Sequence, residues 1–217
     1  APDGTTQFLS LEGGSYDTLA ASYGLTQRTG ALTLDFTADH FQTQGFSAAD
    51  EDNGNTEADG ATRSRVSLGM SYEISDTLTF GLNGFVESGW MEADDFQSSF
   101  PYLPEDGTTD DESFRDTVGL RASLGYDNGI WRQDGAISLY EIERSIDSDG
   151  FVNAFEARRI AVDYSGSVSL SDALTLSFGA DARFEEAAFS LTDSSDETTT
   201  FGVFAEAVWS PTADLDI

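Results

Sequence analysis

The chain has 217 residues, 40 of them acidic against 10 basic, and every basic residue is Arg, for a formal charge of −30. So acidic a chain repels phosphate backbones, which argues against nucleic acid as a partner, while 12% aromatic residues argue against the disorder that high charge otherwise favours. With no Cys and His40 as the one His, disulfides, thiolate zinc sites and a Ser-His-Asp triad lack their residues, and no stretch approaches the ~18 apolar residues of a membrane-crossing helix, a test that leaves a β-barrel open.

The chain begins Ala-Pro-Asp, without Met or a signal peptide, and is expected to be processed or to be a piece of something larger. From there on the apolar residues recur with period two. About ten strands are predicted, at roughly 6–14, 18–28, 31–44, 63–74, 77–90, 116–127, 130–144, 156–170, 174–189 and 199–210. In the third, Leu32, Leu34, Phe36 and Ala38 alternate with Thr33, Asp35, Thr37 and Asp39. In the fourth, Val66, Leu68, Met70 and Tyr72 alternate with Arg65, Ser67, Gly69 and Ser71. The fifth sets Leu78, Phe80, Leu82 and Val86 against Thr79, Gly81, Asn83 and Glu87. In the sixth, Val118, Leu120 and Leu124 oppose Gly119, Arg121 and Ser123. The seventh is less regular. Ile137 and Leu139 share a parity with Glu141 and Glu143, so a bulge or register change is expected there. The eighth and ninth set Ile160, Val162, Leu174 and Leu176 against Asp163, Asp181 and Arg183.

Strands of ten to fourteen residues are long for a soluble sandwich, where about five or six is typical. They suit a tilted strand crossing hydrocarbon, which needs about 9–11. One face reads as lipid-facing and the other, with Gly, Ser, Thr, Asp and Arg mixed, as the wall of a wet lumen. Tight connections at Thr29-Gly30, Ser75-Asp76, Asn128-Gly129, Ser171-Asp172 and Pro211 to Asp214 carry residues that tolerate positive φ. Between them come longer connections at about 45–62, 91–115, 145–155 and 190–198; Ser15 to Asp17 is short. Tyr72, Tyr126, Trp131 and Trp209 fall near the tight-turn end and Trp90 near the other, as interfacial belts require. The fold class is therefore all-β: an antiparallel up-and-down meander of about ten long strands, part of a transmembrane β-barrel.

The run S-L-E-G-G-S-Y-D-T-L-A-A-S-Y-G-L-T-Q-R-T-G-A-L-T-L-D-F-T-A-D-H-F-Q-T-Q-G-F, from Ser10 to Phe46, resembles the first barrel strands of TonB-dependent outer-membrane receptors. Y-E-I-S-D-T-L-T-F from Tyr72 and F-A-E-A-V-W-S-P-T-A-D-L-D-I from Phe204 resemble that family's strand–turn–strand units. The likeness is one of style and order along nearly the whole chain, nearest the cobalamin and siderophore branch, with no invariant motif. It implies a barrel of about 22 strands with a plugged lumen, in the outer membrane of a Gram-negative bacterium. Residues 1–217 then form a partial barrel domain without the plug. The parent takes up a scarce ligand such as a siderophore, metal chelate or cobalamin, and meets the TonB complex only through the missing plug. The chain's own partners are outer-membrane lipid and the small-molecule ligand.

Asp35, Asp39, Arg65, Glu87, Arg121, Asp163, Asp181 and Arg183 are the candidate lumen-facing residues, able to form cross-strand charge ladders, line a ligand path or simply hydrate a wall. The acidic loops hold Asp50, Asp52, Asp59, Asp94 and Asp95, whose clustered oxygens suit calcium but also read as a solvated acidic face; no other cofactor is expected. Their field would steer a cationic or metal-chelate ligand. An enzyme is not expected: adjacent carboxylates such as Glu185 and Glu186 point to opposite faces of a strand. A ten-strand outer-membrane protease would need an Asp/His arrangement resting on His40 alone. The competing readings are a complete small barrel acting as a pore or structural protein, and a soluble all-β binding module.

Overall fold

The computed structural model describes residues 3–46, 58–93, 111–148 and 150–210, together with two short backbone pairs inside 94–110. Its long strands are β1 (Gly4–Gly13), β2 (Leu19–Thr29), β3 (Leu32–Thr43), β4 (Ala61–Ser75) and β5 (Leu78–Ala93), then β8 (Asp111–Asp127), β9 (Trp131–Ser148), β10 (Phe151–Ser171), β11 (Leu174–Phe189) and β12 (Ser194–Trp209). Two-residue strands β6 (Asp95–Phe96) and β7 (Pro104–Glu105) pair only with each other. The ten long strands form one antiparallel sheet in chain order, β1-β2-β3-β4-β5-β8-β9-β10-β11-β12. No helix occurs among the described residues. β1 and β12 are the sheet's edges, with no ladder joining them.

The period-two pattern becomes two faces because each ladder row carries side chains of one sense across all strands. One such row reads Gln27, Leu34, Met70, Leu82, Ala122, Ile137, Val162, Ala182 and Phe201. The apolar face bears almost no cover. Leu68 is 62% exposed, Ile137 53%, Phe201 72% and Val203 85%, and among the described residues Val168 is the one buried hydrophobic on this face, Ala136 lying on the other. A patch of this extent on one layer of sheet calls for an apolar surrounding. On β8 it runs from Tyr126 up to Val118, eight residue steps, or about 27 Å along the strand at ~3.4 Å per residue. A barrel tilt of ~40° brings that to about 20 Å, near the height of an outer-membrane apolar band. Tyr72, Tyr126, Trp131 and Trp209 all fall on this face at its lower margin, and Trp90 on the same face at its upper one.

Local chemistry explains the tight turns. At β8–β9, Gly129 takes φ +87 and donates its amide to Asp127 Oδ1 at 2.8 Å. Asn128 Oδ1 accepts from the Trp131 amide at 2.7 Å. Asp127 also receives Arg132 Nε at 2.9 Å. The Gly129 amide first, and Arg132 second, hold its carboxyl below the ordinary 3.8. This turn lies beneath the apolar band.

Three expectations are corrected. β9 carries no bulge: its pairing with β8 and with β10 is unbroken. Glu141 and Glu143 share a face with Ile137 and Leu139 because the strand outruns the apolar band, so that face simply passes from an apolar to an acidic zone. Register shifts occur instead at Glu73/Ser75 and Ser169/Ser171, beside the turns. The long connections expected at 145–155 and 190–198 are strand and hairpin. β9 reaches Ser148 and β10 starts at Phe151, with Gly150 at φ +79 in the turn. β11 ends at Phe189 and β12 starts at Ser194. Backbone pairing persists where both faces are polar, and there alternation disappears from the sequence. The turn expected at Pro211 to Asp214 lies outside the described residues.

Candidate functional site

The polar face is the concave one. A single cavity of about 910 Å³ touches residues of β2, β3, β4, β5, β8, β9 and β10, among them Ala20, Phe41, Arg63, Gly89, Arg115 and Phe155. Seven flat strands spaced ~4.8 Å apart would spread over roughly 29 Å, so one cavity reaches all of them only if the sheet curls toward this side. Lower on the same face lies a cavity of about 570 Å³ lined by Asp35, Arg65, Asn83, Arg121, Tyr140 and Arg159.

All eight residues expected on the lumen side stand on this face. Arg65 faces Glu87 directly across β4–β5 and bonds to it at 3.3 Å. Its guanidinium also lies 3.9 Å over the Phe85 ring. Asp39 stands opposite Arg65 on the other side. Arg121 reaches across β9 to Asp163 in a two-pronged contact of 3.0 and 2.8 Å. That fork neutralises one member of a like-charged pair, since Asp163 and Asp181 are directly opposed on β10 and β11. Arg183 sits 3.8 Å from Asp181 on its own strand. Asp35 accepts from Thr26 Oγ1 at 2.6 Å. The structure thus gathers Asp35, Arg65 and Arg121 at the lower cavity and Asp39 and Glu87 at the upper one. Asp163, Asp181 and Arg183 line neither.

Phe8–Gly24, Phe85–Gly119, Phe178–Gly166 and Phe204–Gly179 are directly opposed pairs. In each the ring occupies the space a Cβ would take, 2.3 Å away for Gly119 and Gly179. Phe178–Gly166 stands on the apolar face and the other three pairs on the polar one, where rings over glycines keep the wall smooth without leaving its backbone bare.

Sequence reasoning missed Arg159, paired with Glu185 at 2.6 Å, and the row Arg63, Arg115 and Arg144. Strand parity would have found Arg63 and Arg115. β8 begins at Asp111, above the expected start at 116, and an unbroken β9 places Arg144 on the inner side.

His40 lies on the apolar face at its upper margin, Nδ1 2.8 Å from Ser64 Oγ. Of the carboxylates considered for calcium, Asp50, Asp52 and Asp94 lie outside the described residues, as does the Asp95 side chain, and Asp59 precedes β4. Among the described residues, no group of three or more His, Asp or Glu is placed to hold a metal.

No protein-family model matches the chain, and no curated protein does. Solved structures do. The ferric citrate transporter FecA, in its unliganded form, shares 13% identity at a TM-score of 0.58, over 98% of this chain and 37% of its own length. The copper transporter OprC shares 12% at 0.60, over 97% and 43%. The siderophore receptor PiuA from Acinetobacter baumannii shares 10% at 0.56, over 95% and 42%. At such identities the likeness is one of fold, and the chain spans about two fifths of each structure. The fold is that of part of the barrel wall in these transporters and receptors, as the resemblance implied. Two of the three are transporters and the third is a receptor.

Proposed function

We propose that the chain is a section of the wall of an outer-membrane, TonB-dependent receptor in a Gram-negative bacterium. Its parent takes up a scarce small ligand of the siderophore, metal-chelate or cobalamin kind. One observation carries this reading: a single curled sheet has a bare apolar face bounded by aromatic rows on the outside and charged cavities on the inside. That is the arrangement of a wall between lipid and an aqueous lumen. The open edges at β1 and β12 support a wall completed by further strands, since unpaired edges invite partners. Gating and energy coupling belong to the parent's plug, not to this wall.

The test is cell fractionation of the parent protein, with ligand uptake measured in a deletion strain under metal limitation. Sedimentation with outer membranes and loss of uptake of one metal chelate are the expected results. A parent recovered in the soluble periplasmic fraction overturns the proposal.

A further inference from the structure

We infer that Arg63, Arg115 and Arg144 form an anion-binding row on the inner wall, taking a polyanionic ligand whose carboxylate or phenolate oxygens point outward from a bound metal; the metal-chelate part rests on the receptor reading above. Seven of the ten arginines are ion-paired: Arg28, Arg65, Arg121, Arg132, Arg158, Arg159 and Arg183. The three left without an ion pair among the described residues are not scattered. Arg63 is opposite Gly89, Gly89 opposite Arg115, and Arg115 opposite Arg144. All three arginines line the cavity of about 910 Å³, within the size range of small-molecule sites.

In a chain with 40 carboxylates, three unpaired guanidinium groups in one row oppose the prevailing charge. Arg115 and Arg144, being directly opposed, repel each other, so the arrangement does nothing for the sheet by itself. It does suit a ligand. Guanidinium forks match carboxylate oxygens in pairs, and Gly89 leaves the space between Arg63 and Arg115 free of side chain. Phe41 and Phe155 close the row at its two ends, opposite Arg63 and Arg144. Two residues below Arg115 on the same face, the Thr117 hydroxyl is buried without a hydrogen-bond partner. Two carboxylates share this cavity, Asp39 and Glu87, but both flank Arg65 two residues below the row, where Glu87 is bonded to it; the charge of the rest of the chain is screened beyond about 8 Å at physiological salt. The acidic surroundings act on approach and the arginines act on contact.

The parent receptor, purified in detergent micelles and checked by heat-modifiable gel migration, is equilibrated with ferric citrate, iron-free citrate and the cation hexaamminecobalt(III). Binding of a citrate probe is expected. Kd should rise about tenfold in each of Arg63→Gln, Arg115→Gln and Arg144→Gln, the loss of one charged hydrogen bond. Arg115→Lys falls between, and Arg183→Gln binds like wild type. Arg115→Gln and Arg144→Gln should resist urea at least as well as wild type, because removing one of two directly opposed like charges relieves repulsion. The ratio of the two citrate probes says whether the metal is needed. Absence of citrate binding, equal binding by the Gln variants, or preference for the cobalt cation overturns the inference. Partition of the same preparation into lipid vesicles keeps the two proposals apart: a chain that enters vesicles yet ignores citrate sinks the arginine row alone.

Discussion

Ile137→Arg tests whether the bare apolar face meets lipid. Ile137 lies at mid-height of the apolar band, between Ala122 of β8 and Val162 of β10, and is 53% exposed. About half of its side chain packs on protein, so its removal forfeits roughly half of the ~1.5–3 kcal/mol of a fully buried aliphatic. The Arg stem recovers much of that by lying along the neighbours. If the exposed half faced water, the net loss would stay below about 1 kcal/mol. If it faces hydrocarbon, a guanidinium at mid-depth adds about 2–4 kcal/mol. The assay is reversible urea unfolding of the chain in phosphatidylcholine vesicles, followed by the fluorescence of its three Trp. Two controls fix the interpretation. Val118→Arg, at the band's upper margin beside Glu141, should cost no more than about 1 kcal/mol. Ser123→Arg, next to the mid-band Ala122 but on the inner face, should stay within about 0.5 kcal/mol. Equal losses for Ile137→Arg and Ser123→Arg would refute the assignment of two solvents to the two faces.

Gly119→Ala places a Cβ 2.3 Å from Phe85 Cε1, so the ring must leave and Arg65 loses the face it covers. The expected cost is about 1–3 kcal/mol, and adding Phe85→Leu should recover part of it in the same urea assay. Arg121→Ala strips the fork from Asp163 and leaves it opposite Asp181. The cost should be about 0.5–1 kcal/mol at low salt and fade at 1 M NaCl; a salt-independent loss points to packing instead. Asp127 is held below its ordinary value by Gly129 and Arg132. A depressed carboxyl stabilises the fold above the unfolded value and ceases to do so as pH falls through the folded one. Wild type should therefore outlast Asp127→Asn in urea at pH 7, with the difference closing below about pH 4; a difference unchanged at pH 2 contradicts that origin.

Period-two alternation from Leu32 to Ala38 and from Val118 to Leu124 was enough to number the ten strands, tell their faces apart and place the aromatic rows, because a strand's side-chain period is a local property of the backbone. The Asn128-Gly129 turn was legible for the same reason. Legibility ended where local signals ended. Above the apolar band both faces are wet, Glu141 and Glu143 no longer alternate with apolar neighbours, and backbone pairing continues without trace in the pattern. Parity put the eight candidate residues on one polar face, but which of them touch was decided by register between strands: Arg121 bypasses its neighbours to reach Asp163, 42 positions away, and Arg65 takes Glu87 over Asp39. The arginine row required three strands to align across Gly89. A face is written in one strand, whereas a site on a curled sheet depends on the stagger and curvature that bring rows from seven strands around one space, and those arise from pairing along the whole sheet.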